Sequence, residues 1–232
     1  MEKIMSGFHD ISEGKVSLSD EAYLSLKESI LNGDIAKGAT YTQSEIVKTL
    51  GIAISPLRAA INKLETEGLI KVLPRSGIQI IDTDFALTRN TYQLRVILER
   101  EGLKSYIRSA TDEEINNFRQ KHIALRNEIN SCSSNVLVCE KLAKLDSELH
   151  NAFILSLNNQ IITKNYLANE DLIRLTRLDR VDLASNEMLL RTNEEHLTLI
   201  DAIADRDPVK ALESLDTHLE KSIKRAMGLW GF

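Results

Sequence analysis

SPLRAAINKLETEGLI, residues 55–70, reads as a short helix with both ends marked in the sequence. Ser55 is read as the N-cap, and Pro56 suits the first turn, where a missing N–H costs nothing. Leu57, Ile61 and Leu64 share one face, and Gly68 supplies a left-handed stop. Arg58 and Asn62, four residues apart, occupy a neighbouring face. Arginine pairs bidentately with guanine and asparagine with adenine, so this face is chemically equipped to read base edges. An ordinary solvated helix face explains the same residues equally well.

The flanks argue for the first reading. Upstream, SDEAYLSLKESILNGDI from Ser19 is an amphipathic helix with Tyr23, Leu26 and Ile30 on its apolar stripe, ended by Gly33. TQSE (Thr42 to Glu45) is a capping box opening a second helix that stops near Gly51. Downstream, LIKVL and GIQII are β-rich runs joined through Pro74, Arg75 and Ser76, the pattern of a hairpin. Three helices and a hairpin predict a winged helix-turn-helix over residues 17–84, with the quoted helix as the reader in the major groove. Residues 1–16 are polar and without periodicity and are read as a flexible arm.

Net charge, −5 over 232 residues, does not by itself suggest a nucleic-acid binder. Between residues 37 and 80, however, six cations (Lys37, Lys48, Arg58, Lys63, Lys71, Arg75) face three anions (Glu45, Glu65, Glu67). The chain lacks an apolar run of membrane-spanning length, and its start lacks an apolar signal core, so a cytoplasmic protein without a membrane partner is expected. Cys132 and Cys139 lack zinc-type spacing and are read as reduced thiols.

After Asp84 helical periodicity continues to the end, giving a mostly α chain whose residues 85–232 form a bundle of about six helices. Helices are expected over residues 88–109, from the Thr111–Glu114 capping box, over about 136–157, from about Gln160, over about 185–204, and from Asp207-Pro208.

Four polar residues fall on apolar faces of this bundle. Asp146 and His150 are one turn apart on the face that carries Leu142, Leu149, Phe153 and Leu157. His196 lies in the stripe of Leu189, Ile200 and Ile203, and His218 in that of Ala211, Leu215 and Ser222. Burying such groups unpaired is costly. One divalent ion (Zn, Ni or Mn) would serve all four, since imidazole and carboxylate both ligate such metals. His9 lies in the arm, and His122, within RQKHIALR, is expected on the surface.

With both halves laid out, the sequence resembles the GntR family of bacterial transcription regulators, in the FadR-like branch with a helical FCD effector domain. The motifs are LKESILNGDI, SEIVKTLGI, SPLRAAINKLETEGLI and PRSGIQI in the first half. The second half adds YQLRVILE, LDSELHNAFILSLNNQ, EEHLTLIDAIADRD and THL. The resemblance implies a homodimer reading a palindromic operator on double-stranded DNA, and a bundle (85–232) that binds a small carboxylate-bearing metabolite and dimerises. It implies DNA contacts from Ser55, Arg58 and Asn62, with Arg75 and Gly77 at the wing tip. It also implies a divalent ion on Asp146, His150, His196 and His218, and an effector-facing Arg95. The chain departs from the family where a DNA-reading arginine is usual, since Ile54 stands there, and Lys37-Gly38 replaces Pro-Gly before the second helix. The rival reading is a metal-dependent hydrolytic enzyme using the Asp/His site. Against it, Glu195 beside His196 points about 100° away on a helix and is not placed as a general base. A purely structural metal is the third reading.

Overall fold

A computed structural model describes residues 17–131, 135–178 and 185–229. The arm at residues 1–16, His9 and Cys132 lie outside them. The chain divides between Asp82 and Thr83 into two compact units.

The first unit holds α1 (Leu18–Leu31), β1 (Thr40–Tyr41), α2 (Gln43–Leu50), α3 (Ile54–Thr66), β2 (Ile70–Leu73) and β3 (Gly77–Ile80). Ser17 caps α1, and the Thr42–Glu45 capping box opens α2, which ends at left-handed Gly51. Leu26, Ile30, Leu57, Ile61 and Leu64 are buried, so the predicted stripes of α1 and α3 form the core. The sheet runs β1-β3-β2, antiparallel, with Tyr41 opposite Ile78 and Val72 opposite Ile78 on the other edge. Strand β1 was not predicted, because two residues carry no readable alternation and pair only through β3. Gly77 is required there: at φ +116 its Cβ would stand 2.5 Å from the Tyr41 carbonyl oxygen. Glu65 of α3 accepts a 2.8 Å hydrogen bond from the Val72 N–H, tying β2 to α3.

One boundary differs from expectation. Ala53, not Ser55, is the N-cap of α3, and no side chain caps it. The first four helical N–H groups lack acceptors anyway, so Pro56 is tolerated as the third residue and does not mark the boundary.

The second unit holds six described helices: α4 (Phe85–Ser109), α5 (Asp112–Ser131), α6 (Asn135–Leu155), α7 (Gln160–Arg177), α8 (Asn186–Ala204) and α9 (Pro208–Ala226). Caps at Thr111 with Glu114, Asn159, Ser185 and Asp207 stand where the sequence places them, whereas α4 is capped by Asp84 and begins at Phe85, three residues before the expected Thr88. Leu103, Tyr106, Leu149, Phe153, Leu199, Ile200, Leu215 and Leu219 fill the main core.

Helices α4 and α6 run parallel, in a register that repeats four times at an offset of 51 residues. Arg95 faces Asp146, Glu99 faces His150, Gly102 faces Phe153 and Ser105 faces Ser156. At the third rung the backbones nearly touch, since a Cβ on Gly102 would lie 2.7 Å from the Phe153 carbonyl oxygen. Ser105 Oγ donates to the Ser156 carbonyl at 2.9 Å and Ser156 Oγ to the Gly102 carbonyl at 3.0 Å, closing the seam from both sides.

Candidate metal centre and candidate nucleic-acid interface

Asp146 and His150 of α6, His196 of α8 and His218 of α9 converge, all buried, with one ligand-type atom each within 4.8 Å of the others. Asp146 Oδ1 is the focus: it stands 3.6 Å from His150 Nε2, 3.2 Å from His196 Nε2 and 3.6 Å from His218 Nε2. All three Nε2 atoms are buried without a hydrogen-bond partner. Buried polar atoms are normally paired, so three convergent lone pairs beside a carboxylate oxygen form a ready-made set of metal donors.

The surroundings hold these donors in the ligating form. His150 Nδ1 donates to Glu99 Oε2 at 2.6 Å and His218 Nδ1 to Glu195 Oε2 at 3.0 Å. A carboxylate only accepts, so each places the imidazole proton on Nδ1 and leaves Nε2 bare. Glu99 also receives Arg95 Nε at 2.6 Å and the Tyr166 hydroxyl at 2.5 Å. Burial alone would raise its pKa, but Arg95 and His150 outweigh it and bring it down to about 2. Glu195 is likewise brought to about 2, burial being overcome by hydrogen bonds from His218 and Arg225. Asp146 resists burial through Arg95, Arg177 and His150 and stays well below the usual carboxylate range. Burial lowers the pKa of His150, and burial with the neighbouring His218 lowers that of His196.

Arg95, expected to face an effector, is 3% exposed and held by Glu99, with Nη2 3.6 Å from Asp146 Oδ2. Arg177, which the sequence reading missed, brings Nη1 within 3.3 Å of the same oxygen. Its Nε and Nη2 donate to Tyr92 and Ser222. Asp146 thus turns one oxygen to the histidines and the other to two guanidinium groups.

One expectation is corrected. His122 is fully buried rather than on the surface: it lies on the stripe of Ile115, Phe118, Leu125 and Ile129, which outranks its charged sequence neighbours. Glu195 projects away from His196, as helix geometry requires, yet it is not idle. It reaches His218 on the next helix and is gripped by Arg225 at 3.0 and 2.8 Å.

In the first unit Ile54, Ser55, Arg58 and Asn62 are all exposed along α3, and Arg75, at φ +66, is exposed in the β2–β3 turn with Gly77 behind it. Arg58 Nε donates to Gln43 at 3.3 Å, so the start of α2 borders the same surface, which the sequence reading did not single out. Of the six local cations, Lys63 stacks 3.6 Å from the centre of the Tyr23 ring and is drawn toward α1.

Comparison with known proteins agrees with both units. The FCD domain matches residues 90–221, and the bacterial regulatory proteins of the gntR family match residues 18–80. The Nta operon transcriptional regulator of Aminobacter aminovorans is 25% identical over 184 residues, 79% of this chain and 82% of that protein. The HTH-type transcriptional repressor RspR of Escherichia coli (strain K12) is 24% identical over 211 residues, 88% and 86% of the two chains. In structure, McbR/YncC of E. coli superposes with a TM-score of 0.76 at 15% identity, over 93% of this chain and all of that one.

Proposed function

We propose, from the premise that the chain belongs to the FCD-domain transcriptional regulators of the gntR family, that it senses a small carboxylate metabolite at a metal-containing cavity. We further propose that it binds a near-palindromic operator as a homodimer. The observation that carries this reading is the convergence of three unpartnered Nε2 atoms on Asp146 Oδ1. A divalent ion there (Zn, Ni or Mn) supplies a Lewis-acidic anchor for a ligand carboxylate.

The chain's own residues do the rest. Glu99 and Glu195 hold two imidazoles in the ligating tautomer. Arg95 and Arg177 keep Asp146 ionised and lie beside it to meet a ligand's negative charge, for which a planar guanidinium is suited. Ligand binding regulates only if it favours one arrangement of the DNA-binding units over another. On the DNA side, Arg58 and Asn62 would reach base edges, Ser55 the flanking backbone, and Arg75 at the wing the phosphates or minor groove.

A hydrolytic reading is less well supported. The two glutamates behind the histidines, Glu99 and Glu195, are each engaged by an imidazole and a guanidinium, which leaves neither placed to take a proton from water. The deciding experiment is a zinc titration of the full chain combined with a mobility-shift assay on the DNA flanking its own gene. Zinc bound with a stoichiometry near one per chain and a discrete shifted complex are expected. Turnover of carboxylate esters or amides without any DNA complex would replace the regulator with the enzyme.

A further inference from the structure

His150 and His218 each have a carboxylate behind Nδ1, whereas His196 has none: its Nδ1 is buried and unpartnered. One ring away, His122 Nε2 is buried and unpartnered too. The two rings stand edge-on, centroids 5.2 Å apart and planes at 88°. A ring nitrogen lies about 1.1 Å from its ring centre, so rings hydrogen-bonded nitrogen to nitrogen at about 2.9 Å have their centres about 5 Å apart. The observed separation is close to this, although in the metal-free chain the two nitrogens do not yet meet as a hydrogen bond.

The proton count also matches. His122 Nδ1 faces the Phe118 carbonyl oxygen at 2.8 Å. A carbonyl only accepts, so the His122 proton sits on Nδ1 and Nε2 keeps its lone pair. Once His196 Nε2, 3.2 Å from Asp146 Oδ1, is given to a metal, its proton must sit on Nδ1. One orphan is therefore a donor and the other an acceptor. The backbone holds the pair in place, since Asn193 donates to the His122 carbonyl at 3.0 Å, linking α5 to the helix that carries His196.

We infer that His122 is a positioning residue of the metal centre, accepting the Nδ1 proton of His196 and so fixing the tautomer and ring plane of the third imidazole. The inference rests on the metal reading proposed above. It completes a ring of three outer partners, Glu99, Glu195 and His122, one for each histidine ligand. The third partner is neutral where the other two are anionic. His196 is then the least electron-rich of the three ligands, because a carboxylate raises imidazole basicity more than a neutral acceptor does.

The test is zinc affinity of the full chain by chelator competition, for wild type, His122→Leu and His122→Gln. His122→Leu removes the acceptor at similar volume and should weaken zinc about 10- to 100-fold, the usual effect of losing such a partner. His122→Gln restores an acceptor oxygen and should recover most of the loss, while metal-free melting temperatures of the two variants should be alike. Asn193, whose Oδ1 is also buried and unpartnered, is the competing acceptor. If Asn193→Leu weakens zinc while His122→Leu leaves it within twofold of wild type, the assignment to His122 is overturned. Equal losses in His122→Leu and His122→Gln overturn it as well. Nitrogen-15 spectra of the zinc-loaded wild-type rings give a check independent of variant folding. The expected pattern is a proton on His196 Nδ1 and none on His122 Nε2, and a protonated His122 Nε2 refutes the inference. Wild-type protein that takes up no zinc defeats the metal reading itself, a result separate from any of these.

Discussion

Glu99 Oε2 lies 2.6 Å from His150 Nδ1, and both residues are buried to within 1% exposure. A carboxylate so deep in a core is tolerated only because Arg95 and His150 compensate it. Glu99→Gln keeps the volume but removes the charge that orients and enriches His150. Zinc affinity should fall about 10- to 100-fold, read by chelator competition. An unchanged affinity would show that His150 orients itself.

The same burial sets the pH response. Burial holds His150 and His196 below the ordinary histidine value, and burial with His196 brings His122 down to about 4. In the metal-free protein the unfolded chain takes up protons near pH 6.5 while the folded chain does not. Stability is therefore complete above pH 6.5 and is lost as pH falls from there toward about 4. Zinc uptake should persist below pH 6.5, because the buried rings stay neutral there. An affinity midpoint at or above pH 6.5 contradicts this.

At the alkaline end buried tyrosines act, Tyr106 and Tyr166 among them. Burial, and secondarily Glu114, push the Tyr106 hydroxyl up to about 12, and that oxygen has no partner. The unfolded tyrosine loses its proton first, so stability falls between pH 10 and about 12. Tyr106→Phe should lessen that decline and, by deleting an unpaired buried polar atom, stabilise the protein at neutral pH by about 1 kcal/mol. Chemical denaturation at two pH values tests both parts.

On α3, Arg58→Ala should cost specific DNA binding about 1–3 kcal/mol if the side chain reads a base. A phosphate role would lower affinity for every sequence alike and flatten the salt dependence. Ile54→Arg, at the exposed start of the same helix, should steepen the salt dependence by adding one cation. Mobility shifts over a salt series separate these outcomes, and wild-type binding by Arg58→Ala would remove α3 from the interface.

Gly102→Ala places a methyl group where the Phe153 backbone stands. Overpacking of this kind costs about 1–3 kcal/mol. Since Gly102 is one turn from Glu99 and Phe153 one turn from His150, zinc affinity should drop along with the melting temperature.

How much of this could be read from residues alone depended on whether the signal was local. Asp146, His150, His196 and His218 were identified because each breaks an apolar stripe whose period is fixed by the helix itself. The caps at Thr42, Thr111 and Asp207 were legible for the same reason. Ser55 misled, because serine followed by proline fits the cap and the first turn equally well. His122 was misplaced by attending to Lys121 and Arg126 rather than to its own face, where Ile115, Phe118, Leu125 and Ile129 recur at helical spacing. Glu99, Glu195 and Arg177 act across helices far apart in sequence, at separations that only the packed bundle determines.

The four rungs between α4 and α6 have a consequence for how a signal can leave the centre. Two rungs hold side chains of the candidate site, and the other two are a backbone contact and a pair of hydroxyl clasps. Sliding one helix a turn along the other, about 5.4 Å, would unmesh all four together. The pair therefore behaves like two racks in mesh, with no small slip available between them. A ligand arriving at the histidines meets a fixed anvil on that side, and whatever yields to it must be carried by α8 or α9, the helices that bring His196 and His218.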